Sequence, residues 1–158
     1  MVTFSLDDRL LAAFLFYGSI LLLKMLLMSF ITAFHRIKNK AFPSPEDYRV
    51  KKDGDKDKSK EVIIRKNDDV ERVRRAHLND LENIPIFLII ALMFMLANLS
   101  PTRGIWCLRI FTAARILHTI VYLNAILIPR VLCFVTGSVC IVVLGFSVLL
   151  SVARAGVS

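Results

Sequence analysis

Two short polar patterns sit inside the apolar parts of this 158-residue chain. In residues 71–82, Arg75, Asn79 and Glu82 recur at helical spacing. At ~100° of rotation per residue, Asn79 falls about 40° to one side of Arg75 and Glu82 about 20° to the other. The three share one face, Arg72 lies near it, and Asp80 points elsewhere. In residues 114–123, Arg115, His118 and Tyr122 stand at i, i+3 and i+7, again within one narrow stripe. Guanidinium groups held in place grip carboxylates or phosphates bidentately. Glu82 beside them suits an ammonium on the same ligand, Asn79 and His118 donate or accept hydrogen bonds, and Tyr122 offers a phenol.

The elements that position these groups are membrane helices. Hydrophobic residues make up 56% of the chain, more than a soluble domain of this size can hide. Residues 10–34, 105–128 and 131–152 are apolar runs long enough to span a bilayer. The fourth apolar run, 84–97, covers only about 21 Å at ~1.5 Å per residue, short of a ~30 Å hydrocarbon core. A spanning helix there must carry part of the charged segment 71–82 into the membrane, where charge is expensive and usually functional. The expected architecture is an all-α, four-transmembrane-helix bundle in one domain, with helices at 10–34, 72–97, 105–127 and 129–153. Residues 10–34 exceed a signal-peptide core and show no small-residue cleavage site, so they read as a retained span.

Residues 35–75 hold 14 of the 21 Lys and Arg and 9 of the 13 acids, which makes the first loop, 36–71, cytosolic by the positive-inside rule. Pro43 and Pro45 stop the first helix, and the mixed-charge stretch 48–69 reads as a mobile loop. Asn67, Asp68 and Asp69 offer an N-cap and an acidic first turn for the second helix. Under this topology the second helix starts, and the third ends, on the cytosolic side. Arg36 closes the first helix there and Arg130 opens the fourth, so Arg36, Arg75, Arg115 and Arg130 fall in one layer. Such a layer suits a zwitterionic peptide with two carboxylates and one amine, as in glutathione. A lipid head group would leave Glu82 without a role.

Plainer readings stand beside this one. Arg72, Arg74 and Arg75 also fit a positive-inside anchor, Arg115 with Glu82 a structural ion pair, His118 a satisfied buried histidine and Tyr122 an interfacial belt residue. Lys24, near the middle of the first span, pairs with Asp80 or Glu82 or snorkels. The net charge of +8 follows from topology and attraction to anionic lipid rather than from nucleic acid. Cys107, Cys133 and Cys140 lie in apolar spans without metal-ligand or redox spacing, and no metal is expected.

The stretch 70–84, Val-Glu-Arg-Val-Arg-Arg-Ala-His-Leu-Asn-Asp-Leu-Glu-Asn-Ile, resembles the second-helix signature of microsomal glutathione transferases. These belong to the membrane-associated proteins in eicosanoid and glutathione metabolism (MAPEG). Residues 40–47, Lys-Ala-Phe-Pro-Ser-Pro-Glu-Asp, and 114–123, with Arg-x-x-His-Thr-x-x-Tyr, resemble further family segments. The likeness runs from the first helix into the fourth. It implies a homotrimer in endoplasmic reticulum or mitochondrial outer membrane, with glutathione between neighbouring subunits and open to the cytosol. Its glutathione contacts would be Arg36, Arg74, Arg75, His77, Asn79, Glu82, His118 and Tyr122, supported by Arg115. Arg130 would stabilise the thiolate. Glutathione would be the co-substrate, with no further cofactor.

The implied chemistry is attack of that thiolate on lipophilic electrophiles, together with glutathione-dependent reduction of lipid hydroperoxides. Within the family, Leu78 and Val131 stand where prostaglandin E synthases carry Arg and Ser, which favours the general transferase. The alternatives are a glutathione-dependent prostaglandin E synthase and a non-enzymatic lipid-binding scaffold.

Overall fold

The computed structural model describes residues 8–41 and 67–156. The expectations for Pro43 and Pro45, for the 42–47 segment and for a mobile loop over 48–66 lie outside the described residues. Four helices follow one another: α1 (Asp8–Lys38), α2 (Asp68–Leu96), α3 (Pro101–Leu123) and α4 (Leu127–Ala155). Each is long and apolar enough to cross a membrane.

Leu, Met, Ala and Phe dominate α1, whose last turn carries His35, Arg36 and Lys38 at the negative end of the helix dipole. At the start of α2 the Asn67 side chain accepts hydrogen bonds from the backbone N–H of Asp69 (3.0 Å) and Val70 (3.1 Å). Asp68, Asp69 and Glu71 in its first turn favour the positive dipole end. From there α2 runs unbroken through Pro85 to Leu96. Its 29 residues make a rod of about 44 Å, so the charged stretch and the short apolar run form one element. Residues 36–38 and 68–71, expected in the loop, are helical, because basic residues at a C-terminus and a capped acidic N-terminus extend a helix.

Between α3 and α4 the break falls at 124–126, earlier than residue 128, which separates the expected helices 105–127 and 129–153. Ala125 takes φ 58° and Ile126 is extended, and their apolar side chains hide the turn from any hydropathy pattern. Pro101 opens α3 at a position whose missing N–H costs little.

The four helices form a diamond. α2 and α3 touch each other and both outer helices, whereas α1 and α4 do not pack on one another. Leu21, Ile84, Phe87, Phe94, Leu108, Phe111, Cys140 and Leu144 fill the centre. Phe87 and Phe111 stack with ring centroids 3.7 Å apart and planes 6° from parallel, joining α2 to α3. The outside is apolar instead of polar: Leu23, Phe30, Ile128 and Leu149 all have more than half of their surface exposed. In water that would be an aggregation surface; in lipid it is the solvated one.

Gly104 fixes how closely α3 approaches α1 and α2. A Cβ there would lie 2.7 Å from Leu10 Cδ1 and 3.2 Å from Phe94 Cε1. Gly104→Ala is expected to destabilise the bundle by ~1–3 kcal/mol through overpacking. The thermal midpoint of the detergent-solubilised variant checks this; an unchanged midpoint would show that Leu10 moves aside freely.

Candidate functional site

The deepest polar group is Asp80, fully buried on the inner face of α2. Its carboxylate accepts from Lys24 Nζ of α1 through Oδ2 and from Arg115 Nη2 of α3 through Oδ1, the latter at 2.7 Å. Arg115 is 1% exposed, and the same nitrogen donates to Asn79 Oδ1, also at 2.7 Å. Three helices are thus tied by one carboxylate. The ion pair expected between Arg115 and Glu82 is not formed. Arg115 points into the bundle and meets Asp80, while Glu82, two residues further along α2, faces outward. Of the alternatives open for Lys24, pairing with Asp80 is the one observed. The bond from Arg115 to this buried carboxylate is what sequence reasoning missed. The available signal was an acid at membrane depth, which must have partners.

From this interior knot the polar groups step outward. Asn79 is half-buried, and Arg75 and Glu82 on the same face are exposed. On α3, His118 is 2% exposed and its Nδ1 has no hydrogen-bond partner among the described residues. Its ring lies 5.5 Å from that of Tyr122, one turn on. Tyr122 also packs against Met28, Val73 and Ala76, next to the polar layer. Across the turn, Arg130 places its guanidinium carbon 4.6 Å from the centroid of the Tyr122 ring. This cation–π contact joins α3 to α4 and aims the guanidinium over the phenol. Arg130 stands in the first turn of α4, whose N-cap, Ile126, makes no side-chain capping bond. Unsatisfied backbone N–H groups and a guanidinium together make this end of α4 attractive to an anion.

A second polar surface lies between α1 and α2. Ser29, Thr32, Ala33, Arg36, Arg74, His77 and Leu78 line an open pocket of about 360 Å³. Arg74 is held bidentately by Glu71, with Nη2 and Nε 2.8 and 3.0 Å from Oε2. Arg72 pairs with Asp69 at 2.9 Å. The expected layer of four arginines therefore divides. Arg36 and Arg74, with His77, face the α1–α2 pocket; Arg75, Asn79 and Glu82 occupy a face of α2 about a third of a turn away. Arg130 stands on α4, which does not touch α1. Arg115 is enclosed between the helices.

A family model described as the MAPEG family matches residues 14–150. Human microsomal glutathione S-transferase 1 is 47% identical over 84% of both chains, and its mouse counterpart is 46% identical over the same shares. Human prostaglandin E synthase is 33% identical over 75% of this chain and 74% of its own.

Proposed function

Because this chain belongs to the MAPEG family, we propose that it is a microsomal glutathione transferase, a membrane enzyme that activates the thiol of glutathione for attack on lipophilic electrophiles. The observation that carries the mechanism is Arg130, held over the Tyr122 ring at the uncapped start of α4. A cation and free backbone N–H groups at that point stabilise a thiolate over a thiol. The thiolate forms a C–S bond to an electrophilic carbon, and the leaving group departs with the bonding pair; from a halogenated aromatic it leaves as halide. With a lipid hydroperoxide, two glutathiones yield the disulfide, an alcohol and water. Placing the site in a membrane helix bundle suits co-substrates that partition into lipid.

The peptide part of glutathione has two carboxylates and one ammonium. Arg75 and the α1–α2 pair Arg36 and Arg74 match the carboxylates, Glu82 the ammonium, and Asn79, His77, His118 and Tyr122 the remaining polar atoms. The two groups face different directions in one chain, and α1 and α4 do not meet. This supports a homotrimer in which glutathione lies between neighbouring subunits, taking the α1–α2 pocket from one and the Arg130 face from the next. The site opens to the cytosol from endoplasmic reticulum or mitochondrial outer membrane.

Detergent-purified protein mixed with glutathione and a halonitrobenzene is expected to form the aryl conjugate. Absence of glutathione binding at millimolar ligand would overturn the transferase reading in favour of a lipid-binding scaffold. Efficient conversion of prostaglandin endoperoxide with negligible conjugation would replace it by the synthase. Arg36→Ala is expected to raise the KM for glutathione about tenfold or more, with a smaller change in kcat. It would remove one charge-assisted contact, worth ~1.5–3 kcal/mol, distant from the sulfur. Steady-state kinetics with glutathione varied checks this, and an unchanged KM would exclude Arg36 from the site.

A further inference from the structure

We infer that Asp80 is a positioning residue for glutathione: acting through Arg115, it holds the Asn79 side chain with its amide N–H turned to the ligand. The inference rests on the glutathione site proposed above and assigns a task to a carboxylate that does not itself reach that site.

Arginine carries donors only, so the Asn79 atom facing Arg115 must be the carbonyl oxygen. That leaves the Asn79 Nδ2 hydrogens as the end available to a ligand. Asn79 then serves a carboxylate or carbonyl of glutathione and not its ammonium, which falls to Glu82 on the same face. Arg115, 1% exposed, commits its Nη2 to Asn79 and Asp80 and so acts on the ligand through Asn79. Its Nη2 bridges Asn79 and Asp80 at equal distances of 2.7 Å, so the carboxylate sets where the guanidinium lies and the guanidinium sets the amide. The position of Asp80 one residue after Asn79 makes this possible. One side chain turns into the bundle and its neighbour turns toward the binding face, and one nitrogen spans both. A buried ion pair of this kind is no more stabilising than a well-packed apolar cluster would be, because both ions lose their hydration. Its geometric effect on Asn79 is what an apolar cluster could not supply.

Lys24 supplies an independent handle. It occupies Oδ2 of Asp80 and leaves Oδ1 to Arg115. In Asp80→Asn the side chain offers one acceptor oxygen to two cations, and its amide hydrogens oppose the other, so Arg115 loses its fixed position. Lys24→Met in that background frees the oxygen for Arg115 again.

The test is glutathione binding and steady-state kinetics on the full-length protein in detergent. Asp80→Asn is expected to raise the glutathione KM roughly tenfold while kcat at saturating glutathione stays within about twofold, since Arg130 and the sulfur are untouched. Lys24→Met alone keeps a near-wild-type KM, and the double variant recovers most of the lost affinity. A KM unchanged in Asp80→Asn, a loss confined to kcat, or a KM defect that the double variant fails to repair would each overturn the inference. Should Asp80→Asn not fold, Asn79→Asp decides. It keeps an oxygen for Arg115 but turns a second one toward the ligand, so glutathione affinity must fall at least tenfold; wild-type affinity would overturn the inference. Failure of the wild-type protein to bind glutathione is a different result, which overturns the transferase reading itself.

Discussion

Replacing Arg130 by Ala is expected to shift the ionisation of bound glutathione upward by about two pH units. The free thiol has a pKa near ~8.5 and is largely protonated in the cytosol. Holding the bound thiol near ~6.5 takes about 2.7 kcal/mol of preferential stabilisation of the anion, within reach of one guanidinium in a partly desolvated site. The cation favours the charged form, so its loss raises the pKa. Near pH 6.5 the wild-type thiol is half ionised and the variant's about 1%, a fall of roughly fiftyfold in thiolate; above pH ~9 the two converge. The rate falls less, by about fivefold to tenfold, because a more basic thiolate is the better nucleophile. The ultraviolet absorbance of the thiolate, titrated in the presence of glutathione, separates these effects. An Arg130→Ala enzyme that binds glutathione and titrates like wild type would remove Arg130 from the thiolate's surroundings. Arg130→Lys keeps the charge but loses the planar fork over Tyr122, and should fall between the two.

Asp80→Ala is expected to have the largest effect on the fold. Asp80 is the acid in both the Lys24 and Arg115 ion pairs, and its removal leaves two buried or half-buried cations facing one another. Breaking a buried pair from one side costs ~3–5 kcal/mol, a large part of the margin by which a domain is stable. The variant should lose much of its thermal stability in detergent or fail to accumulate in the membrane. A wild-type melting midpoint would mean that Lys24 and Arg115 find other partners, such as Glu82. Both Asp80→Ala and Asp80→Asn remove the charge; Asp80→Asn keeps the side-chain shape and one acceptor oxygen, so it reads the geometry of Asn79 in a protein that loses less packing.

Much of the candidate site was legible before the fold. Asn79 lies on the face with Arg75 and Glu82 because a helix relates residues i, i+4 and i+7 by fixed rotations. His118 and Tyr122 sit beside one another for the same reason, and their rings are in fact 5.5 Å apart. The N-cap at Asn67 was readable from residue type alone. A turn around 124–130 was also readable, but its place within that stretch was not. Ala125 and Ile126 look like any stretch of membrane helix, and the positive φ falls on Ala125 rather than on a glycine or asparagine. Gly104 reads as turn punctuation, yet its Cβ-less surface is also where Leu10 and Phe94 close in.

By itself the sequence determined what lies within each helix: four apolar segments, a charged α2 lead-in that has to enter the membrane, and the polar stripes of α2 and α3. It also carried the family signature that the comparison with microsomal glutathione S-transferase 1 supports. The tertiary structure decided relations between helices. Arg115 takes Asp80 instead of Glu82, Lys24 joins the same carboxylate, and Arg36 and Arg130 stand on helices that do not touch. The physical reason is that residue spacing sets angles about one helix axis, whereas the rotation of each axis against its neighbours comes from side-chain packing. Here the Phe87–Phe111 stack joins α2 to α3, and Asp80 and Arg115 meet across the same pair of helices.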